Sequence, residues 1–101
     1  MILIATLTVH PDRIEAFRDY ERKAARIMER HGGGIERAIE LAPDPEDFYH
    51  RETHLVTFPD AKSLEAYRND PDFKALASTR EACILATAIR YGEPGPEYHS
   101  A

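Results

Sequence analysis

An α+β domain, with helices packed on one face of a four-stranded antiparallel sheet, follows from three features of the sequence. Four segments carry strand-type patterns, and two stretches between them carry helical periodicity. Turn residues separate each from the next: Pro11, Gly32-Gly33-Gly34, Pro43 to Asp47, and Pro59-Asp60. The size agrees, since 101 residues make one ordinary domain and are too few for two independent cores.

The first strand is Ile2 to Val9, apolar and β-branched with Thr6 and Thr8 interleaved, a pattern expected when both faces are partly covered. His10-Pro11-Asp12 opens a helix, with Pro11 suited to its first position. Ile14, Phe17, Ala24, Ile27, Met28 and His31 recur at helical spacing, opposite a charged side of Arg13, Arg18, Asp19, Arg22, Lys23, Arg26 and Arg30. Asp19 and Lys23 form a favourable i,i+4 pair. The three glycines that follow supply a left-handed C-cap. Ile35 to Ala42 alternates like an edge strand, and Pro43 to Asp47 forms a hairpin loop. In the third strand, Tyr49 to Phe58, alternation puts His50, Glu52, His54, Val56 and Phe58 on one face. Pro59-Asp60 then opens a short helix carrying Ala61, Leu64 and Tyr67. Asp70 and Pro71 cap and restart it, and Phe73, Leu76, Ala77 and Arg80 share one side of the second piece. Ala82 to Tyr91 is the last strand. The domain therefore spans residues 1–92, and residues 93–101 form a tail, loose or laid on a partner.

The order is β-α-β-β-α-β, the ferredoxin-like arrangement, and right-handed crossovers place both helices on the same sheet face. The first and last strands are nevertheless apolar on both faces, where a solvated face would alternate with charge. A second copy of the same sheet is the expected cover, giving a homodimer. The 43% hydrophobic content is more than one face of so small a sheet can hide.

Composition excludes several functions. With 18 Asp+Glu against 13 Lys+Arg, a net charge of -5, the chain lacks the clustered basic face that nucleic acid requires. No apolar run approaches the roughly 18 residues of a membrane span. The N-terminal segment suits a strand better than a signal peptide, so the expected location is cytoplasmic. The single cysteine, Cys83, sits in the last apolar strand as an inert buried thiol.

Tyr49-His50-Arg51-Glu52-Thr53-His54 is the one dense polar cluster within a strand. His50, Glu52 and His54 project from one face, and imidazoles with a carboxylate are ligand types for zinc or non-haem iron. The outer pair, however, stands about 13 Å apart along a straight strand, too wide for one ion without other ligands. These three are weak metal candidates, and neither a metal nor a cofactor is expected. The plainer expectation for His50 and Glu52 is a solvated strand end. His54 differs, because Val56 and Phe58 carry its face into the core, where a half-buried imidazole can exchange protons. Arg80 is either a partner of the helix C-terminus or an anion anchor at a cavity mouth. Tyr67 is either core or a hydroxyl that meets a ligand. His31 and His10 are expected to serve helix termini. No Ser-His-Asp order, Gly-x-Ser-x-Gly or His-Glu-x-x-His motif occurs.

The runs Phe17-x-x-Tyr20, Glu29-Arg30-His31-Gly32-Gly33, Val56-Thr57-Phe58-Pro59-Asp60-Ala61 and Ala66 to Phe73, with the later Arg80, resemble the dimeric α+β barrel superfamily over residues 2–92. The likeness is strongest to a branch classed as a domain of unknown function, and more distant to antibiotic-biosynthesis-monooxygenase-like domains. The resemblance implies a sheet-to-sheet homodimer with a ligand pocket between each sheet and its helices. It places Ile4, Val56, Phe58 and Phe73 around that pocket, with His54, Tyr67 and Arg80 as candidate catalytic residues. The superfamily includes cofactor-free monooxygenases, small isomerases and haem-degrading enzymes. The last use an Asn on the first strand and a Trp ending the third, where this chain has Leu3 or Ile4 and Phe58. The function expected is therefore binding of a small apolar or aromatic molecule with proton transfer at His54, in a cofactor-free monooxygenase- or isomerase-like reaction; the alternatives are a binding or structural dimer without turnover and, with least weight, a metal-binding dimer using His50, Glu52 and His54 from both subunits.

Overall fold

β1 (Ile2–Val9) is the strand around which the domain is built, pairing antiparallel with β3 (His50–Thr57) on one side and β4 (Ile84–Gly92) on the other. In the computed structural model, which describes residues 1–99, β2 (Gly34–Glu40) completes the sheet in the order β2-β3-β1-β4. This is the ferredoxin-like topology. α1 (Ile14–Arg30), preceded by a single 3-10 turn at Pro11–Arg13, packs across one face with α2 (Ala61–Arg68), α3 (Pro71–Lys74) and α4 (Ala77–Cys83).

Registration decides which side chains meet the helices. Leu3 faces Val56, Ala5 faces His54 and Leu7 faces Glu52, so the odd-numbered residues of β1 share the helix face with the even-numbered residues of β3. Ile2, Ile4, Thr6 and Thr8 turn to the open face with Thr53 and Leu55, and the Thr6 and Thr53 hydroxyls lie 3.0 Å apart there. The buried core comprises Leu3, Leu7, Val9, Phe17, Tyr20, Ala24, Ile27, Met28, Val56, Phe58, Leu64, Tyr67 and Cys83.

α1 ends as the glycines require. Gly32 adopts φ 76°, the Gly32 amide donates to the Glu29 carbonyl, and the Gly33 amide donates to the Met28 carbonyl. Gly33 has a second duty. A Cβ there would stand 2.3 Å from Cε1 of Phe58, so the missing side chain is the space the ring occupies.

Several expectations change. β2 stops at Glu40, two residues early, and β3 starts one residue later and ends one earlier than the alternation implied. The second helical region is three pieces, interrupted where Asp70 accepts from the Asp72 amide and caps α3. Ala82 and Cys83 belong to the last turn of α4, not to β4, because their backbone continues the helix begun at Ala77. Cys83 is nonetheless fully buried. Leu85 is the extra residue of a bulge between the Thr8–Ala86 and Val9–Ile84 pairs, which returns Ile84 to the helix side. Asp19 pairs with Arg22 and not with Lys23. His31 caps the end of α1 through its backbone, but its ring lies 2.8 Å from Asp70, tying that end to the start of α3. No helix among the described residues is long and apolar enough to cross a membrane. The expected tail has no regular structure over Glu93–His99, and its last two residues lie outside the described ones.

Candidate functional site

Between the sheet and the helices lies a cavity of about 260 Å³. Its apolar walls come from Leu3 and Ala5 on β1, Met28 on α1, Val56 on β3 with Phe58 beyond it, and Phe73 on α3. Its polar groups come from separate elements: Tyr20 and Glu21 on α1, His54 on β3, Tyr67 and Arg68 on α2, Arg80 on α4 and Thr87 on β4. Of the residues expected around a pocket, His54, Val56, Phe58, Tyr67, Phe73 and Arg80 do line it. Ile4 does not. It pairs with Leu55 on the open sheet face, and its odd-numbered neighbours Leu3 and Ala5 take the position instead.

The third strand's polar cluster is buried and not a wet strand end. Glu52 is 7% exposed and His54 4%, while His50 is half-buried. One Glu52 carboxylate oxygen lies 2.6 Å from His50 Nε2 and the other 3.0 Å from His54 Nε2, so a single carboxylate clasps both imidazoles. This corrects the distance argument for the trio, because inclined side chains close a gap that a straight strand leaves wide. Phe17 backs the clasp, its ring centroid 6.3 Å from each imidazole. With Nε2 engaged, His54 Nδ1 lies on the α1 side, 3.8 Å from Glu21 Oε2. Glu21 and His54 also line a second, more open groove between α1 and β2.

The ligand-type atoms brought within 4.8 Å of one another belong to Glu40, His50 and Glu52, and His54 is not in that set. Glu40 is held by Arg18, and both Glu52 oxygens are engaged by imidazoles. The cluster satisfies itself through these contacts, and no ion is assigned to it.

Electrostatics separates the two buried carboxyls. Burial pushes the Glu21 carboxyl above its ordinary range, and the charges of His54 and Arg80 only partly oppose this. Burial alone would also raise Glu52, but hydrogen bonds from His50 and His54 outweigh it and hold that carboxyl below the ordinary range. The linkage signs are opposite. Ionised Glu21 costs stability once pH rises above the ordinary carboxylate range. Ionised Glu52 contributes stability above that range, lost as pH falls through its lowered pKa. At pH 7, Glu21→Gln is therefore expected to raise resistance to urea. Glu52→Gln sets an amide N–H₂ against an imidazole N–H and is expected to lower it by about 1–3 kcal/mol. Equal effects of the two changes would contradict this assignment.

Arg80 is held by hydroxyls: one guanidinium nitrogen donates to Thr87 Oγ1 at 2.9 Å and another to the Tyr20 hydroxyl at 3.3 Å. Burial raises the pKa of Tyr20, opposed by Arg80, and that of Tyr67 more strongly, so both remain phenols at neutral pH. The Tyr67 hydroxyl makes no hydrogen bond to any described residue, yet no fully enclosed polar side-chain atom among them lacks a partner. That hydroxyl therefore opens to the cavity it lines.

Tyr20, Glu21, Arg68 and Thr87 join the cavity from outside the residues that the sequence pattern singles out for a site. Glu21 had a signal: it stands four residues after Phe17 and three before Ala24, a charge inside the apolar stripe of α1. Thr87 likewise interrupts Ala86 and Ala88. Nothing in the local pattern around Arg68 distinguishes it from a solvated helix residue.

A ferredoxin-like α+β domain with a mixed apolar and polar cavity between sheet and helices is the class these features define. The chain belongs to the family described as Domain of unknown function (DUF1330), whose model matches residues 2–89. Among solved structures it is similar to a protein of Agrobacterium tumefaciens, at 16% identity over 93% of this chain and 92% of that one, with a TM-score of 0.73. It is also similar to a proposed antibiotic biosynthesis monooxygenase of Nitrosomonas europaea, at 19% identity, covering 90% and 96% of the two chains, with a TM-score of 0.67. An uncharacterized NIPSNAP domain protein of Burkholderia xenovorans is 10% identical over 98% of each chain, with a TM-score of 0.72. These likenesses show the fold alone. No curated protein matches the chain.

Proposed function

We propose that the chain is the subunit of a homodimer joined sheet to sheet, and that each cavity takes one small apolar or aromatic molecule bearing an ionisable hydroxyl. His54 accepts the proton of that phenol or enol, while Arg80 and Tyr67 orient it. Such a deprotonation is the first step of an isomerisation through an enolate. It also opens a cofactor-free oxygenation, in which the deprotonated substrate itself gives electrons to dioxygen. The observation that carries this reading is the placement of a buried imidazole and an open Tyr67 hydroxyl in one otherwise largely apolar cavity. The size is consistent with it. An apolar cavity of about 150 Å³ takes benzene, so 260 Å³ leaves room for a substituted single ring.

The probe 4-nitrophenol reports both binding and proton transfer, because its phenolate absorbs in the visible. Binding to the wild-type protein is expected to raise the phenolate fraction several-fold at a pH below the free probe's midpoint. His54→Ala is expected to keep the binding and lose the rise. A bound probe that ionises like the free one would reject the proton-transfer role and leave binding without turnover. Native mass spectrometry of freshly purified protein reports any co-purified molecule directly.

A further inference from the structure

The charges of the cavity run against those of the chain. The sequence carries a net charge of -5, yet two arginines, Arg68 and Arg80, line the cavity. Arg18, Arg22, Arg30 and Arg51 each have a carboxylate within ion-pair distance. Among the described residues, Arg68 and Arg80 have none within 4.0 Å; Arg13, Arg26, Arg37 and Arg90 have none either, but these four are exposed and lie outside the cavity. Arg68 and Arg80 are each held by neutral hydroxyls instead. Arg80 donates to Thr87 and Tyr20, and Arg68 donates to the Tyr91 hydroxyl at 2.8 Å.

Hydroxyls fix a guanidinium without neutralising it. A guanidinium has five N–H donors, and the two contacts at Arg80 leave most of them free. The group is half-buried against apolar walls, where an unneutralised cation costs solvation energy and a charge-assisted partner is worth more than in water. Glu21, the acid that lines the same cavity, does not reach it, and burial favours that carboxyl's neutral form. What such a site lacks is an anion.

Spacing across the sheet limits where the anion sits in its molecule. Thr87 is the β4 anchor of Arg80 and His54 is on β3, with β1 between them. Strands two places apart are about 10 Å apart. One ring substituted at opposite ends, with its hydrogen bonds, fills about that distance.

We infer that the ligand is a single-ring hydroxy acid, its carboxylate on Arg80 and its ionisable hydroxyl at the opposite end of the ring, toward His54. Arg68, exposed at the cavity's edge and held by Tyr91 next to Leu3, adds a second positive charge that draws the anion in. This deepens the reading of the cavity as a small-molecule site and rests on it.

Two probes of nearly equal shape separate the inference from that reading: 4-hydroxybenzoate and its neutral counterpart 4-hydroxybenzyl alcohol. Titrations of the full chain by calorimetry or by amide chemical shifts are expected to show the acid binding about tenfold or more tightly than the alcohol. Arg80→Gln is expected to weaken the acid's binding about tenfold more than the alcohol's, so that most of the preference is lost. Tyr20→Phe keeps the guanidinium, frees one of its anchors and is expected to reduce the preference only in part. This second variant keeps the test decisive should Arg80→Gln fail to fold. Equal affinity for the two probes in the wild-type protein would overturn the carboxylate assignment and leave the cavity reading standing. Failure of both probes and of 4-nitrophenol to bind would overturn the cavity reading itself.

Discussion

Phe17→Ala is expected to destabilise the domain by about 3–5 kcal/mol, measured as a lowered urea midpoint at pH 7. Phe17 is wholly buried beside Leu7, Val9 and Cys83, so truncation removes ring contacts and leaves a hole that a sheet and a helix cannot both close on. A domain of this size has about 5–15 kcal/mol in all, so the variant stands near the edge of folding. The same ring packs against His50 and His54, and its loss also frees the imidazoles that clasp Glu52. Phe17→Leu keeps much of the volume and is expected to cost clearly less while still shifting the histidine ring proton resonances. A loss below about 1 kcal/mol for the alanine variant would show that Phe17 does not carry this part of the core.

That ring also shows what the sequence disclosed and what it did not. The order of elements, the glycine stop after α1, the exposed edge of β2 and the helix-side face of β3 all follow from local periodicity and turn chemistry, and the structure repeats them. Alternation put His54, Val56 and Phe58 together because a strand's side-chain period is fixed. Three kinds of fact were not local. The first is parity between strands: whether Leu3 or Ile4 meets the helices depends on which residue of β3 pairs with it, which no stretch of β1 encodes alone. The second is side-chain reach. A 13 Å span along a strand suggested isolated groups, whereas Glu52 bends to both imidazoles because burial makes an unpaired carboxylate costly. The third is convergence from distant elements. Tyr20, Arg80 and Thr87 meet across 67 residues of sequence, and the packing of α4 against both α1 and β4 brings them together. Cys83 fell between these cases, since an apolar run of such length suits a strand or a buried helix end equally.

The dimer proposal makes the other large prediction. Row by row, the open face presents Arg37, Leu55, Ile4 and Arg90, then Ile39, Thr53, Thr6 and Ala88, across all four strands. The centre of these two rows is apolar or small and its threonine hydroxyls satisfy each other, while charged groups stand around it: Arg37 and Arg90 on the edge strands, Glu36 bound by Thr57, and Arg51 paired with Asp47. The helices cover the opposite face only. Sedimentation at micromolar concentration is accordingly expected to give a particle of about 23 kDa, twice the 11.5 kDa chain. Leu55→Glu is the test of which surface pairs. In a single chain the new carboxylate has Arg37 as its cross-strand neighbour, so the fold should tolerate it with little change in circular dichroism. In a sheet-to-sheet dimer the same carboxylate is buried at the contact and set near its own copy, where desolvation and like-charge repulsion add. The variant is expected to sediment at 11.5 kDa. A wild-type monomer at that concentration would refute the dimer. A Leu55→Glu variant still at twice the chain mass would move the contact off this face, and the unpaired backbone edge of β2 would be the surface to examine next.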